Sequence, residues 1–135
     1  GLIYSLSVRR LVTRLGQTGL SLGGGALLAL AYVTLAFEPF YWIAPLAICA
    51  TGLGFYMLHN TLQTNATQMT PQARGTAIGL FSSALYLGQT AGVAIAGVAF
   101  DRFTAVPVFL TAAVILLALG WWLSRALKQR GAEGL

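Results

Sequence analysis

Charged positions are rare along the chain and fall in clusters. Between the clusters run four long stretches with no charged side chain: Leu15 to Phe37, Pro39 to Ala73, Gly75 to Phe100 and Phe103 to Ser124. Within each, the apolar residues neither alternate nor keep to one stripe. They are apolar all round, the pattern of a helix surrounded by hydrocarbon and not that of a barrel strand with one wet face. A helix rises 1.5 Å per residue, so about 20 such residues cross a hydrocarbon core of roughly 30 Å. Each stretch therefore holds one span, predicted at 19–37, 43–64, 72–99 and 106–125, with Thr64 to Ala73 as a polar tail on the second. A fifth element, 1–14, is apolar up to Val8 and then basic. Its apolar part is too short to span, so it reads as the second half of a helix. The first methionine is Met57, and the chain is accordingly expected to be amino-terminally truncated. Thr70-Pro71 predicts an N-cap followed by proline at the first helical position, and Pro45 and Pro107 fall in predicted first turns, where a missing N–H costs little.

Composition sharpens this into a class. Apolar residues make up 57% of the 135 and charged ones 8%, against roughly 25% charged in soluble domains. The chain cannot cover a water-facing surface. That excludes a soluble enzyme, a disordered tail and a nucleic-acid module, despite the net charge of +5. The single Cys49 excludes an internal disulfide framework. The fold class expected is an all-α integral membrane bundle of four full transmembrane helices with a preceding half helix.

The distribution of charge gives the bundle a direction. With four full spans, Arg9, Arg10, Arg14, Arg74, Arg125, Lys128 and Arg130 share one side, while Arg102 lies on the other with Glu38 and Asp101. Short cytoplasmic loops carry the excess of Lys and Arg, so both ends of the chain are expected in the cytoplasm. Phe37, Phe40, Tyr41 and Trp42 are then predicted at the outer interface, and Trp121 and Trp122 at the inner one.

Polar residues inside the spans are the candidate chemistry. Tyr56, His59, Asn60 and Gln63 follow an i, i+3, i+4, i+7 spacing and share one helical face. Ser82, Tyr86, Gln89 and Thr90 make a second stripe on the next span. Polar side chains are unfavourable against lipid, so both stripes should face the bundle interior or a wet cavity. Two readings stand: a pocket for a polar or amphipathic solute, and interhelical hydrogen bonds acting as glue. Histidine is the side chain suited to proton exchange at physiological pH, and His59, the sole histidine, fits a proton-coupling role or a structural, gate-lining one. Neither Glu38 nor Asp101 lies within a span, so a membrane-embedded carboxylate, if the mechanism needs one, is expected outside this chain. Gly88, Gly92 and Ala96 recur every four residues, and together with Gly23-Gly24-Gly25 they predict close helix packing. Arg74 falls in the first turn of its helix, where the macrodipole disfavours a cation; topology explains it, as would a carboxylate partner. Arg9, Arg10 and Arg14 could hold anionic lipid. There is no nucleophile–base pair, metal-ligand cluster or cofactor motif, so no enzymatic activity and no cofactor is expected.

The run from His59 to Ala77, HNTLQTNATQMTPQARGTA, resembles the loop between helices 10 and 11 of major facilitator superfamily transporters, closest to bacterial drug or sugar efflux permeases of the drug:proton antiporter type. Gly79-Leu80-Phe81 through Leu87-Gly88-Gln89 to Gly92 is similar to helix 11 of that group. Arg9 to Gly16 is similar to the helix 8–9 loop, with Thr13 where the related loop 2–3 motif has aspartate. The resemblance implies that the chain is the second half of helix 8 through helix 12 of a twelve-helix carrier in a bacterial inner membrane. It implies proton-coupled efflux of a small organic solute or drug by alternating access, with two bundles rocking about a central site. It places Tyr4, Tyr56, His59, Asn60, Gln63, Tyr86 and Gln89 on the substrate cavity and Arg9, Arg10, Arg14 and Arg74 in the cytoplasmic loops that gate it. The partners implied are the lipid bilayer, the amino-terminal helices of the carrier, a small-molecule solute and protons, with no nucleic acid. The alternative is a non-transporting four-helix membrane scaffold or subunit, which would need only helices and glue.

Overall fold

The computed structural model describes the backbone of residues 2–37 and 40–133, and the side chains of residue 10, of residues 13–37 and of residues 40–131. Tyr4 and Arg9 are thus outside the described side chains. Four long helices account for the described backbone: α1 (Leu2–Phe37), α2 (Ile43–Gln68), α3 (Arg74–Arg102) and α4 (Ala105–Glu133), with a 3₁₀ turn at Pro71–Ala73. No strand occurs among the described residues. Four segments are long and apolar enough to cross a membrane: Thr13–Phe37 in α1, Ile43–Gln68 in α2, Pro71–Arg102 over the 3₁₀ turn and α3, and Ala105–Gly131 in α4. The fold is that of an all-α membrane bundle.

The helices run past the limits that hydropathy suggests, because charge and polarity report membrane depth and not the end of hydrogen bonding. α2 continues through the polar tail to Gln68 instead of stopping at 64. Asn65 Nδ2 donates to the Thr61 carbonyl at 2.7 Å, the Thr67 hydroxyl donates to the Thr64 carbonyl at 2.9 Å, and the Met69 N–H closes the last turn on Asn65 O. α4 likewise extends two turns past residue 125, into its basic segment. At α3 the correction runs the other way. Thr70 (φ −135°, ψ 77°) makes no side-chain cap, and Ala73 (φ −129°, ψ 40°) breaks the helical path, so Gln72 and Ala73 belong to the 3₁₀ turn and α3 begins at Arg74.

The expected separation between the basic element 1–14 and the first full span shrinks to one residue. α1 is helical on both sides of Gly16, which sits at φ 63°, ψ 178°. That region of backbone space is essentially closed to residues with a Cβ, so the glycine replaces a loop.

α1 packs against both α2 and α4, and two glycine crossings show how. A methyl group added at Gly24 would lie 3.0 Å from the Gly54 carbonyl oxygen of α2, and one at Gly25 would lie 2.9 Å from Gly120 Cα of α4. Consecutive residues on a helix are turned by about 100°, so two adjacent glycines admit two different neighbours at the same level. Gln17 near Asn65 and Gly24 near Gly54 make α1 and α2 antiparallel; Gly25 near Gly120 and Tyr32 near Phe109 do the same for α1 and α4. Leu28, Leu58 and Leu123, one from each helix, form a buried cluster, with Tyr32, Leu62, Leu116, Leu119 and Leu127 around it. In hydrocarbon such contacts hold by van der Waals fit and not by water exclusion, so backbone proximity decides. The buried hydroxyls need no interhelical partner: Ser21, Thr61 and Ser124 each donate to a carbonyl on their own helix at 2.8–2.9 Å.

α3 is different. None of its residues is buried, and its half-buried positions are Ala77, Phe81, Ser82, Leu85, Ala96 and Ala99. Ring contacts near its two ends attach it: His59 of α2 to Phe81 at 5.5 Å, and Phe100 to Phe109 of α4 at 5.8 Å in edge-to-face geometry. Between them a cavity of about 630 Å³ separates α3 from α4, lined among others by Gly92, Ala96, Ala99, Thr111 and Ala112. The Gly88–Gly92–Ala96 stripe therefore packs no helix among the described residues. Nothing lies within 4 Å of a methyl group built at Gly88 or Gly92, and the small side chains widen the gap instead of closing it.

Candidate functional site

The polar face of α2 is built by a helix whose opposite face is committed. Ala47, Gly54, Met57, Leu58 and Thr61 are buried, which turns Tyr56, His59, Asn60 and Gln63 away from that packed side. His59, Asn60 and Gln63 are half-buried and Tyr56 is exposed. The centre of the group is His59. Its imidazole stacks on Phe55 at 5.3 Å with 15° between the planes, and Phe81 of α3 lies against it at 5.5 Å with 48° between the planes. Phe55 also meets Tyr56 edge to face at 6.1 Å. The consequence is a polar atom among rings: His59 Nδ1 is buried and has no hydrogen-bond partner among the described residues. A buried polar atom left unpaired costs about 1–3 kcal/mol, and the buried hydroxyls avoid that cost by bonding to their own helices. His59 is the exception.

The second predicted stripe does not meet the first within this chain. Ser82 is half-buried beside Phe81, but Tyr86 (66% exposed), Gln89 and Thr90 are exposed. The side of α3 turned to the bundle runs through Phe81, Leu85, Ala96 and Ala99; Tyr86 and Thr90 lie around the cylinder from it, and Gln89 is on its flank but exposed. Thr90 satisfies its hydroxyl on the Tyr86 carbonyl at 2.9 Å. Arg10, Arg14 and Arg74 are all exposed, and α3 and α4 place Arg74, Arg125, Lys128 and Arg130 at the end of the bundle where Gln17 meets Asn65. Arg102 and Asp101 are at the opposite end. No group of three His, Cys, Asp or Glu side chains that could hold a metal ion occurs among the described residues.

One interaction near the site went unread in the sequence. Asn65 Nδ2 donates to Gln17 Oε1 at 3.2 Å, a polar tie between α1 and α2 one turn beyond Thr61. Both residues lie in stretches that look like loop, and only the continuation of α2 to Gln68 brings them together.

Comparison with curated proteins and with solved structures gave no significant match. A family model, the Major Facilitator Superfamily, matches residues 2–133. That match covers all four helices and the aromatic and polar face between α2 and α3. The chain belongs to the Major Facilitator Superfamily of membrane transporters.

Proposed function

We propose that the protein works as a proton-coupled efflux carrier for a small organic solute or drug, by alternating access in a bacterial inner membrane. The basic end of the bundle, with both chain ends, is then cytoplasmic. The solute path runs along the face of α2 that carries Tyr56, His59, Asn60 and Gln63, with Tyr4, Tyr86 and Gln89 completing it from α1 and α3. Arg9, Arg10, Arg14 and Arg74 border its cytoplasmic mouth. The observation that carries this reading is the unpartnered His59 Nδ1 between Phe55 and Phe81. A fold that satisfies its buried hydroxyls internally leaves this atom for something that comes and goes: a solute group, water or a moving neighbour. The exposed, thinly attached α3 is the helix that moves, and the His59–Phe81 contact is remade during the cycle. The coupling carboxylate is assigned outside this chain, because Asp101 is the last residue but one of its span and Glu38 and Glu133 fall outside the four apolar segments.

The test is efflux of a panel of fluorescent organic solutes from cells expressing the full protein. His59→Gln, Asn60→Ala and Gln63→Ala should each slow efflux about tenfold or more, the effect of one lost hydrogen bond to a bound group, at unchanged abundance in the membrane. Unchanged efflux in all three removes the α2 face from the path. Efflux that continues after an uncoupler collapses the proton gradient removes proton coupling. Labelling of single cysteines introduced at Lys128 and at Phe103 after Cys49→Ser reads the orientation: the first should be reached only from the cytoplasm and the second only from outside.

A further inference from the structure

We propose that the edge of α4 formed by Trp121, Arg125 and Lys128 holds the phosphodiester headgroup of an anionic phospholipid, with an acyl chain lying along Val114 and Leu117. These five residues advance by three, four, four and three positions and so share one helical face. α4 packs on α1 through a different face, through Ala113, Gly120, Leu123 and Ser124, and borders the α3 cavity through Thr111, Ala112 and Ile115. The five-residue face is the one neither neighbour uses, and all five side chains are exposed. From Val114 to Trp121 it is about 10 Å long, most of the apolar half-thickness of a bilayer, roughly 15 Å. The cations start where that depth ends.

The headgroup end is organised and not merely basic. The Arg125 guanidinium sits 4.0 Å over the Trp121 ring. Stacking fixes the plane of the guanidinium by a cation–π contact and leaves its edge N–H donors free for the paired oxygens of a phosphate. Lys128 adds a second charge one turn further on. None of the three acidic residues of the chain shares this face. Asp101 is at the opposite end of the bundle, Glu38 is not part of α4 in the sequence, and Glu133 is five positions beyond Lys128 and so out of register. Antiparallel packing of Ser21 against Gly120 brings Arg125 level with Gly16, two residues from the exposed Arg14 of α1. Topology alone explains cations at this end. It does not explain their alignment under an exposed apolar stripe or the stacked guanidinium.

The inference is independent of the transport reading and is tested on the purified full protein by native mass spectrometry, titrating phosphatidylglycerol against phosphatidylcholine of the same chains. Two cations predict a preference of roughly thirtyfold for phosphatidylglycerol. Arg125→Gln with Lys128→Gln should abolish the preference, and Arg102→Gln, at the opposite end, should leave it intact. Equal retention of the two lipids by the wild type, or a preference that survives the double substitution, overturns the proposal. A readout that needs no variant is quenching of tryptophan emission by lipids brominated on the acyl chain. The phosphatidylglycerol form should quench at lower mole fraction than the phosphatidylcholine form, and identical quenching curves contradict the site.

Discussion

α1 and α3 each hold a segment long and apolar enough to cross a membrane, and they have opposite relations to the bundle. α1 touches two helices at backbone distance through Gly24 and Gly25, and α3 leans on its neighbours through aromatic rings near its ends with a cavity between. Both helices carry small residues at helix-packing spacing. The difference lies in what stands opposite. Gly54 and Gly120 meet the α1 glycines at matching levels, and the two smooth surfaces close. Gly92 and Ala96 of α3 instead line a cavity whose α4 wall includes Thr111 and Ala112. A small-residue stripe is therefore only half of a packing site, and the partner helix decides whether it becomes a seam or a groove.

Substitutions that break this contrast should rank by it. Gly120→Leu should have the largest effect, because even a methyl group there would lie 2.8 Å from Ser21 O and 2.9 Å from Gly25 Cα. Separating α1 from α4 to make room is expected to cost at least the roughly 1–3 kcal/mol typical of overpacking, with thermal unfolding in detergent as the measurement. Gly16→Ala comes next: the space around it is open, so its expected cost of about 1–3 kcal/mol is purely that of forcing a Cβ into φ 63°. Phe81→Ala and Phe109→Ala should each cost about 0.5–1.5 kcal/mol beyond the loss of apolar contact. The sharper effect of Phe81→Ala should be faster hydrogen exchange across α3 with little change in α1, whereas Phe109→Ala also frees Tyr32 of α1. Ser21→Ala is expected to cost from near zero to about 1 kcal/mol, since its hydroxyl serves only the Thr18 carbonyl of its own helix. Gly92→Leu should be the smallest, although it is the same chemical change as Gly120→Leu. It should shift unfolding by less than about 0.5 kcal/mol, as expected away from packed contacts.

How much of this could be read in the sequence follows from the same physics. The four spans were legible because a charge within hydrocarbon is expensive, so a charge-free apolar run of sufficient length marks a crossing. The end of α2 was not, because Asn65 and Thr67 look like loop residues until their side chains are seen bonding back to Thr61 and Thr64. His59 and its face were legible from spacing, but the rings that enclose it were not: Phe55 and Phe81 are two apolar residues among many, and their role depends on how α3 crosses α2. Gly24 and Gly25 stood out in the sequence, whereas Gly54 and Gly120, isolated in their helices, carried no local signal. The polar stripe on α3 was visible from spacing, but its exposure was not: Tyr86, Gln89 and Thr90 are exposed among the described residues, and that depends on how far α3 stands off its neighbours.

In the proposed cycle α1, α2 and α4 form a fixed unit and α3 moves against it, and paired cysteines test that division directly. A disulfide between Phe100→Cys and Phe109→Cys, whose rings meet at 5.8 Å, would tie α3 to α4 beside the cavity, and one between Tyr32→Cys and Phe109→Cys, whose rings meet at 5.9 Å, would tie α1 to α4 inside the fixed unit. With solute efflux measured before and after oxidation, the first pair should stop transport until the disulfide is reduced, and the second should leave the rate unchanged. Full transport with the α3–α4 link formed would contradict a moving α3.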